Sequence, residues 1–165
     1  MNKEKILVSA CLLGTNCKYN GKNNRNEKLI EYLKDKEYIS ICPETFGGMS
    51  TPRLPSEIEY GKSGEDVIKK VEKSINNELE RNDYAKVYSK EGVDVTGEFL
   101  LGAQKALDIA LENGVSKAIL KESSPSCGVN CIYAGKFDGN KKKGQGVTTA
   151  LFRKYKIEVV SEKDL

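Results

Sequence analysis

Four short apolar runs, separated by stretches of helical periodicity, constrain this chain more than any other feature. They occupy 5–10 (KILVSA), 38–41 (YISI), 118–120 (AIL) and 157–160 (IEVV), each bounded by polar or turn residues. Runs this short read as strands buried on both faces of a sheet. Between them, the spacing predicts a helix over 96–113. There Phe99, Ala103, Ala106 and Ala110 form one stripe, Leu100, Leu107 and Leu111 widen it, and Asn113-Gly114 supplies the stop. A second helix is expected over about 65–81, with Val67, Ile68, Val71, Ile75 and Leu79 facing inward, and shorter ones over 26–34 and 147–155. Strands alternating with helices predict an α/β domain with a mostly parallel sheet, and 165 residues suit a single domain spanning 1–165. The stretch IYAGKFDGNKKKGQG is expected to be a turn-rich excursion whose three lysines form a solvated loop tip.

Composition narrows the function. A net charge of +3 is too mild to imply nucleic-acid binding, and no apolar run approaches the length needed to cross a bilayer. The N-terminus MNKEKILVSACLLG lacks the pattern of a secretory leader, so the cytoplasm is the expected compartment, and the chain is expected to be a monomer or weak homodimer. In that compartment five cysteines, an odd number, point to metal ligands or reactive thiols rather than a disulfide framework. Histidine is absent, which excludes Cys–His catalysis, His-ligated zinc and an imidazole base.

The cysteines fall in a pattern. Cys11 follows the first predicted strand, Cys42 the second, and Cys127 the loop after the strand ending at Leu120. Open parallel sheets bind ligands beyond the carboxyl ends of their strands, so these three thiols are expected to meet on one edge. Buried cysteine as a small hydrophobe is the plainer alternative. Cys17 and Cys131 complete C-x5-C and C-x3-C pairs; together with Cys11 and Cys127 they would make a four-cysteine zinc site, but the intervals fit loosely and Cys42 is left over. A three-thiolate set is the other possibility, and thiolates select zinc, copper(I) or iron–sulfur clusters. Cys127 and Cys131 as a metal-free redox pair is a third, although C-x3-C lacks the thioredoxin spacing.

Around these thiols stand groups that carry chemistry. Glu44, two residues beyond Cys42, is the natural proton carrier in a chain without histidine, unless it merely caps its turn. Ser124 and Ser126 are placed to hydrogen-bond a substrate or cluster sulfides, or simply to cap the loop. Arg53, between the prolines of TPRLP, can meet a phosphate or carboxylate, with an ordinary surface arginine as the plainer reading. Gly146 and Thr148 lie in GQGVTT, either a small anion- or amide-binding turn before a helix or an ordinary helix start. These last three are the candidate substrate contacts.

Taken together, VSACLLG, CPE, TPR, DVTGEFLLGA, AILKESSPSCG and GQGVTTALF resemble the signature set of the TudS-like thiouracil desulfidases, from Val8 to about Glu162, in a short single-domain form. The resemblance implies a Rossmann-like, three-layer α/β domain with its site at the C-terminal ends of the strands. It implies an oxygen-sensitive [4Fe-4S] cluster on Cys11, Cys42 and Cys127, with one iron left open. Glu44 would transfer protons, and Ser124 or Ser126 would make a polar contact in the same pocket. Cys17 and Cys131 fall outside the shared pattern. The implied reaction is non-redox removal of sulfur from a thiolated pyrimidine, a 2- or 4-thiouracil type, as hydrogen sulfide. A non-catalytic iron–sulfur or zinc sensor, or a sulfur carrier, is the competing reading, favoured by the two spare thiols.

Overall fold

The computed structural model describes residues 4–75 and 84–165. The chain runs β1 (Lys5–Ser9), α1 (Glu27–Tyr32), β2 (Glu37–Ile41), α2 (Pro43–Phe46), β3 (Ser56–Ile58), α3 (Gly64–Ile75), β4 (Val87–Ser89), α4 (Thr96–Glu112), β5 (Lys117–Leu120), β6 (Cys131–Tyr133), β7 (Lys141–Lys143), α5 (Val147–Lys154) and β8 (Glu158–Ser161). Four strands form a parallel sheet in the order β2-β1-β5-β8. Because successive side chains alternate between faces, Leu7, Ala118, Leu120 and Val159 pack against Ala106, Leu107 and Ala110 of α4 and Phe152 of α5. Ile6, Val8 and Ile119 pack on the other face with Leu12, Leu29 and Leu33. Helices on both faces of a parallel sheet make the three-layer α/β architecture. A second core joins the antiparallel pair β3–β4 to α3, α4 and Ile132.

The strand order sets where a ligand fits. β1 lies between β2 and β5, so the chain leaves β1 toward one side of the sheet and later returns on the other. The loops beyond β1 and β5 therefore part at a topological switch point and open a crevice there.

Several local expectations change. β2 is an edge strand, and of its five residues only Ile41 is fully buried. Val71 and Leu111 are 43% and 52% exposed, because α3 and α4 each present a narrower face to the core than the full apolar stripe. The 65–81 helix runs Gly64–Ile75 in the described residues; Leu79 lies outside them, as does the side chain of Ile75. The three lysines are no loop tip. They form β7, which pairs antiparallel with β6: Cys131 opposite Lys143, Ile132 opposite Lys142 and Tyr133 opposite Lys141. Ile132 is buried in the second core, and that burial, rather than any strand propensity of lysine, fixes the hairpin.

Candidate active site

At the switch point lies a cavity of about 360 Å³. Cys11, Cys42 and Cys127 all line it, and so does Cys17. Cys11 sits in a 3-10 turn, Ala10–Leu13, that begins where β1 ends and closes on Gly14 at φ 98°. Cys42 ends the extension of β2 and caps α2, with Pro43 at the first helical position. Two glycines bring α2 hard against α4: a Cβ on Gly102 would lie 1.8 Å from the Pro43 carbonyl oxygen, and one on Gly47 2.0 Å from that of Glu98. Only glycine permits that approach.

Cys127 is held by its loop. The first N–H groups of α5 have no partners within their own helix. Here Gly146, Val147 and Thr148 donate them to the carbonyls of Gly128, Pro125 and Ser126, each at 2.8 Å. From the other end Glu122 grips the loop. Its Oε1 accepts N–H groups from Val129 (2.7 Å), Asn130 (2.8 Å) and Cys131 (3.1 Å), while Oε2 accepts from Asn130 Nδ2 (2.9 Å). Burial works to raise this carboxyl, but the backbone donors outweigh it and hold Glu122 down at about 2.

The thiols divide their protons. Cys17 keeps its proton, pushed up chiefly by hydrogen bonding to Cys11 and then to Cys42. The Cys17–Cys11 bond is the main cause lowering Cys11, and the separate Cys17–Cys42 bond is the main cause lowering Cys42 to about 5. Thr45 Oγ1 also donates to Cys42 Sγ at 3.2 Å. Cys127 is pushed up to about 12 by burial, against donors from Ser9 and Ser126. Thiolates are the metal-binding and nucleophilic form, so Cys11 and Cys42 stand in the state a cation would need, and Cys127 would have to lose its proton to bind one.

Glu44 completes the floor. Burial raises its carboxyl, opposed by the Arg53 charge. Arg53 Nε donates to Glu44 Oε1 at 3.3 Å, and Ser126 Oγ donates to Oε2 at 3.1 Å. Ser124 Oγ lies 2.9 Å from Ser126 Oγ and accepts the N–H groups of Ser126 and Cys127. The Ser124 proton therefore points to Ser126, and the Ser126 proton to the carboxylate.

The structure thus brings Cys11, Cys42, Cys127, Glu44, Ser124 and Ser126 together on one cavity. Arg53 lines the cavity too, but it is turned toward protein groups: besides Glu44 it donates to Ser50 O, Thr51 Oγ1 and Cys17 O, which commits most of its donors. Gly146 and Thr148 are not in the cavity wall. They stand behind the cysteine loop, where a Cβ on Gly146 would lie 2.4 Å from the Ser126 carbonyl carbon and Thr148 is wholly buried. Cys131 is also outside, its sulfur 3.5 Å from Ser123 Oγ. The sequence places Cys17 only in the four-cysteine alternative, and it does not mark Glu57 or Glu122, both of which line the cavity. Cys17 carried a signal in its C-x5-C spacing, but a lone Glu before a serine-rich loop looks like any solvated acid.

Fold and site together define an α/β protein that gathers soft sulfur donors and a buried carboxyl at its switch point. The chain belongs to the 2-thiouracil desulfurase family, whose model matches residues 6–164. It is 44% identical over 160 residues to the uncharacterized protein YbbK of Bacillus subtilis (strain 168), covering 97% of each chain. It also superposes on a solved structure, the [4Fe-4S]-dependent thiouracil desulfidase TudS, with a TM-score of 0.79 and 39% identity, over 99% of this chain and 93% of that one. The donor set here suits such a cluster. Three cysteines reach one cavity from three separate strand ends, and the Thr45 hydroxyl donates to the Cys42 sulfur. Among the described residues, no three His, Cys, Asp or Glu side chains crowd together as the ligands of a single ion would. Anchors for a multi-iron cluster are necessarily spaced more widely than that.

Proposed function

We propose that this protein is a [4Fe-4S]-dependent desulfidase that hydrolyses the C–S bond of a thiolated pyrimidine, of the 2- or 4-thiouracil type, to uracil and hydrogen sulfide. Oxygen replaces sulfur at one ring carbon and the water supplies both protons of the sulfide, so no external electrons are needed. The observation that carries this reading is the meeting of Cys11, Cys42 and Cys127 with the buried Glu44 on one cavity. When bound on those cysteines, the cluster would supply a Lewis-acidic iron open to a soft donor such as sulfur.

The chain's own groups account for the proton traffic. Water adding to the ring carbon must lose a proton, and the departing sulfur must gain one. A carboxyl whose pKa is raised by burial is suited to both. Arg53 and Ser126 each hold one oxygen of Glu44, which fixes its orientation, and Ser124 fixes Ser126 in turn. Among the described residues no helix is long and apolar enough to cross a membrane. The free thiols support a cytoplasmic protein, and a monomer or weak homodimer acting on a small molecule is part of the same proposal.

A second reading has one observation behind it. Cys17 lines the same cavity, and four thiols would suit a closed, non-catalytic iron or zinc centre in a sensor or sulfur carrier. Anaerobic reconstitution, iron and sulfide quantification and sulfide release from 2- and 4-thiouracil separate the two. The desulfidase should carry four irons, lose them in Cys11→Ala, Cys42→Ala and Cys127→Ala, and turn over. Glu44→Gln should keep its iron yet release sulfide about two to four orders of magnitude more slowly. Near-wild-type release at full iron content would remove Glu44 from the mechanism, and a colourless zinc protein would remove the cluster.

A further inference from the structure

The loop joining β6 to β7 brings Phe137 to the cavity. Phe137 is half-buried and has φ 54°, in the left-handed region where a Cβ meets the backbone and glycine or asparagine is the usual occupant. Strain of this kind persists only where surrounding contacts over-determine it, and it concentrates at ligand sites. The contacts are present. Glu57, a buried carboxylate on β3, accepts the N–H of Gly135 at 2.8 Å and of Phe137 at 3.3 Å. Gly135, at φ 101°, passes so near the end of β3 that a Cβ would lie 2.6 Å from both Ile58 O and Tyr60 N. Ala134 N donates to Asn140 O at 2.9 Å across the neck of the loop. Of the other aromatic residues at the cavity, Tyr19 and Tyr133 each have a lysine ammonium over the ring, at 5.7 and 5.2 Å from Lys18 and Lys141. Phe137 is the purely apolar one.

We propose that Phe137 is a substrate-recognition residue whose ring forms the wall against which a flat heteroaromatic substrate lies, and that Glu57 is the positioning residue that holds it there. This rests on the desulfidase reading and deepens it. A face-on ring contact is made equally to substrate, transition state and product. Its loss should therefore raise KM and the product Kd together and move kcat far less. Glycine removes the ring and the strain at once, so Phe137→Gly should fold at or above the wild-type Tm while binding weakens.

The experiment uses the anaerobically iron-loaded protein and reads KM and kcat for thiouracil, Kd for uracil by equilibrium dialysis, Tm and iron content. In Phe137→Gly both KM and uracil Kd should rise about 5- to 150-fold, the range for losing one aromatic–base stack, at unchanged iron content. Phe137→Tyr, which keeps a ring, should recover most of that affinity. Glu57→Ala should reproduce the KM increase, and Glu57→Gln, which keeps a carbonyl acceptor for the two N–H groups, should rescue it. Sulfide release by the wild type with unmoved KM and uracil Kd in Phe137→Gly overturns the assignment of Phe137 and leaves the desulfidase reading standing. A fall in Tm with those constants unmoved also overturns it, showing a packing role only. No sulfide release by the fully loaded wild type overturns both.

Discussion

Glu122→Gln tests how the cysteine loop is held. The carboxylate accepts four backbone N–H groups, from Ser123, Val129, Asn130 and Cys131, and one side-chain amide, and its pKa stands at about 2 against 4.5 for an unperturbed glutamate. Such a gap corresponds to about 3 kcal/mol of preference for the ionised form in the folded protein. Solvent at the cavity wall screens part of it, leaving about 2 kcal/mol. The folded pKa is depressed, so this stability is fully present above the unfolded value and is lost as pH falls from about 5 toward 2. By pH 3 somewhat more than half should be gone. Urea unfolding of wild type and Glu122→Gln at pH 7, 5, 4 and 3 reads it directly, because other titrating groups cancel in the difference. Wild type should exceed the variant by about 2 kcal/mol at pH 7, worth several degrees in Tm, and by about 1 kcal/mol or less at pH 3. A gap that does not change with pH would show that the charge on Glu122 is not what holds the loop.

Gly102→Ala should cost about 1–3 kcal/mol and lower iron retention, because its Cβ would strike the Pro43 carbonyl and lift α2, which carries Glu44 and follows Cys42; thermal melting with iron analysis checks this, and an unchanged Tm would refute it. Cys17→Ala removes the main hydrogen bond lowering Cys42, so the pH midpoint for iodoacetamide alkylation of Cys42 in the metal-free protein should move up from about 5. Mass spectrometry follows the modification, and an unmoved midpoint would refute the thiol-sharing arrangement.

Much of the frame can be derived from the chain alone, because periodicity is a local property. β1, β2, β5, β8 and α4 lie within a residue or so of the runs that announce them. The meeting of Cys11, Cys42 and Cys127 follows from them, since residues just past parallel strands share one edge whatever the side-chain packing. Three-residue β3 and β4 carry too little pattern to be seen, and β7 is written in lysines, so these strands exist only through their partners. Side-chain direction was the other thing hidden. Gly146 and Thr148 turn their backs to the cavity because α5 must spend its free N–H groups on the cysteine loop. Arg53 faces Glu44 and Cys17 rather than open solvent, and Glu57 reaches Gly135 across 78 residues of chain. Those placements are decided by burial and by the pairing of polar groups that lose water on folding, and both depend on neighbours that become neighbours only when the chain has closed.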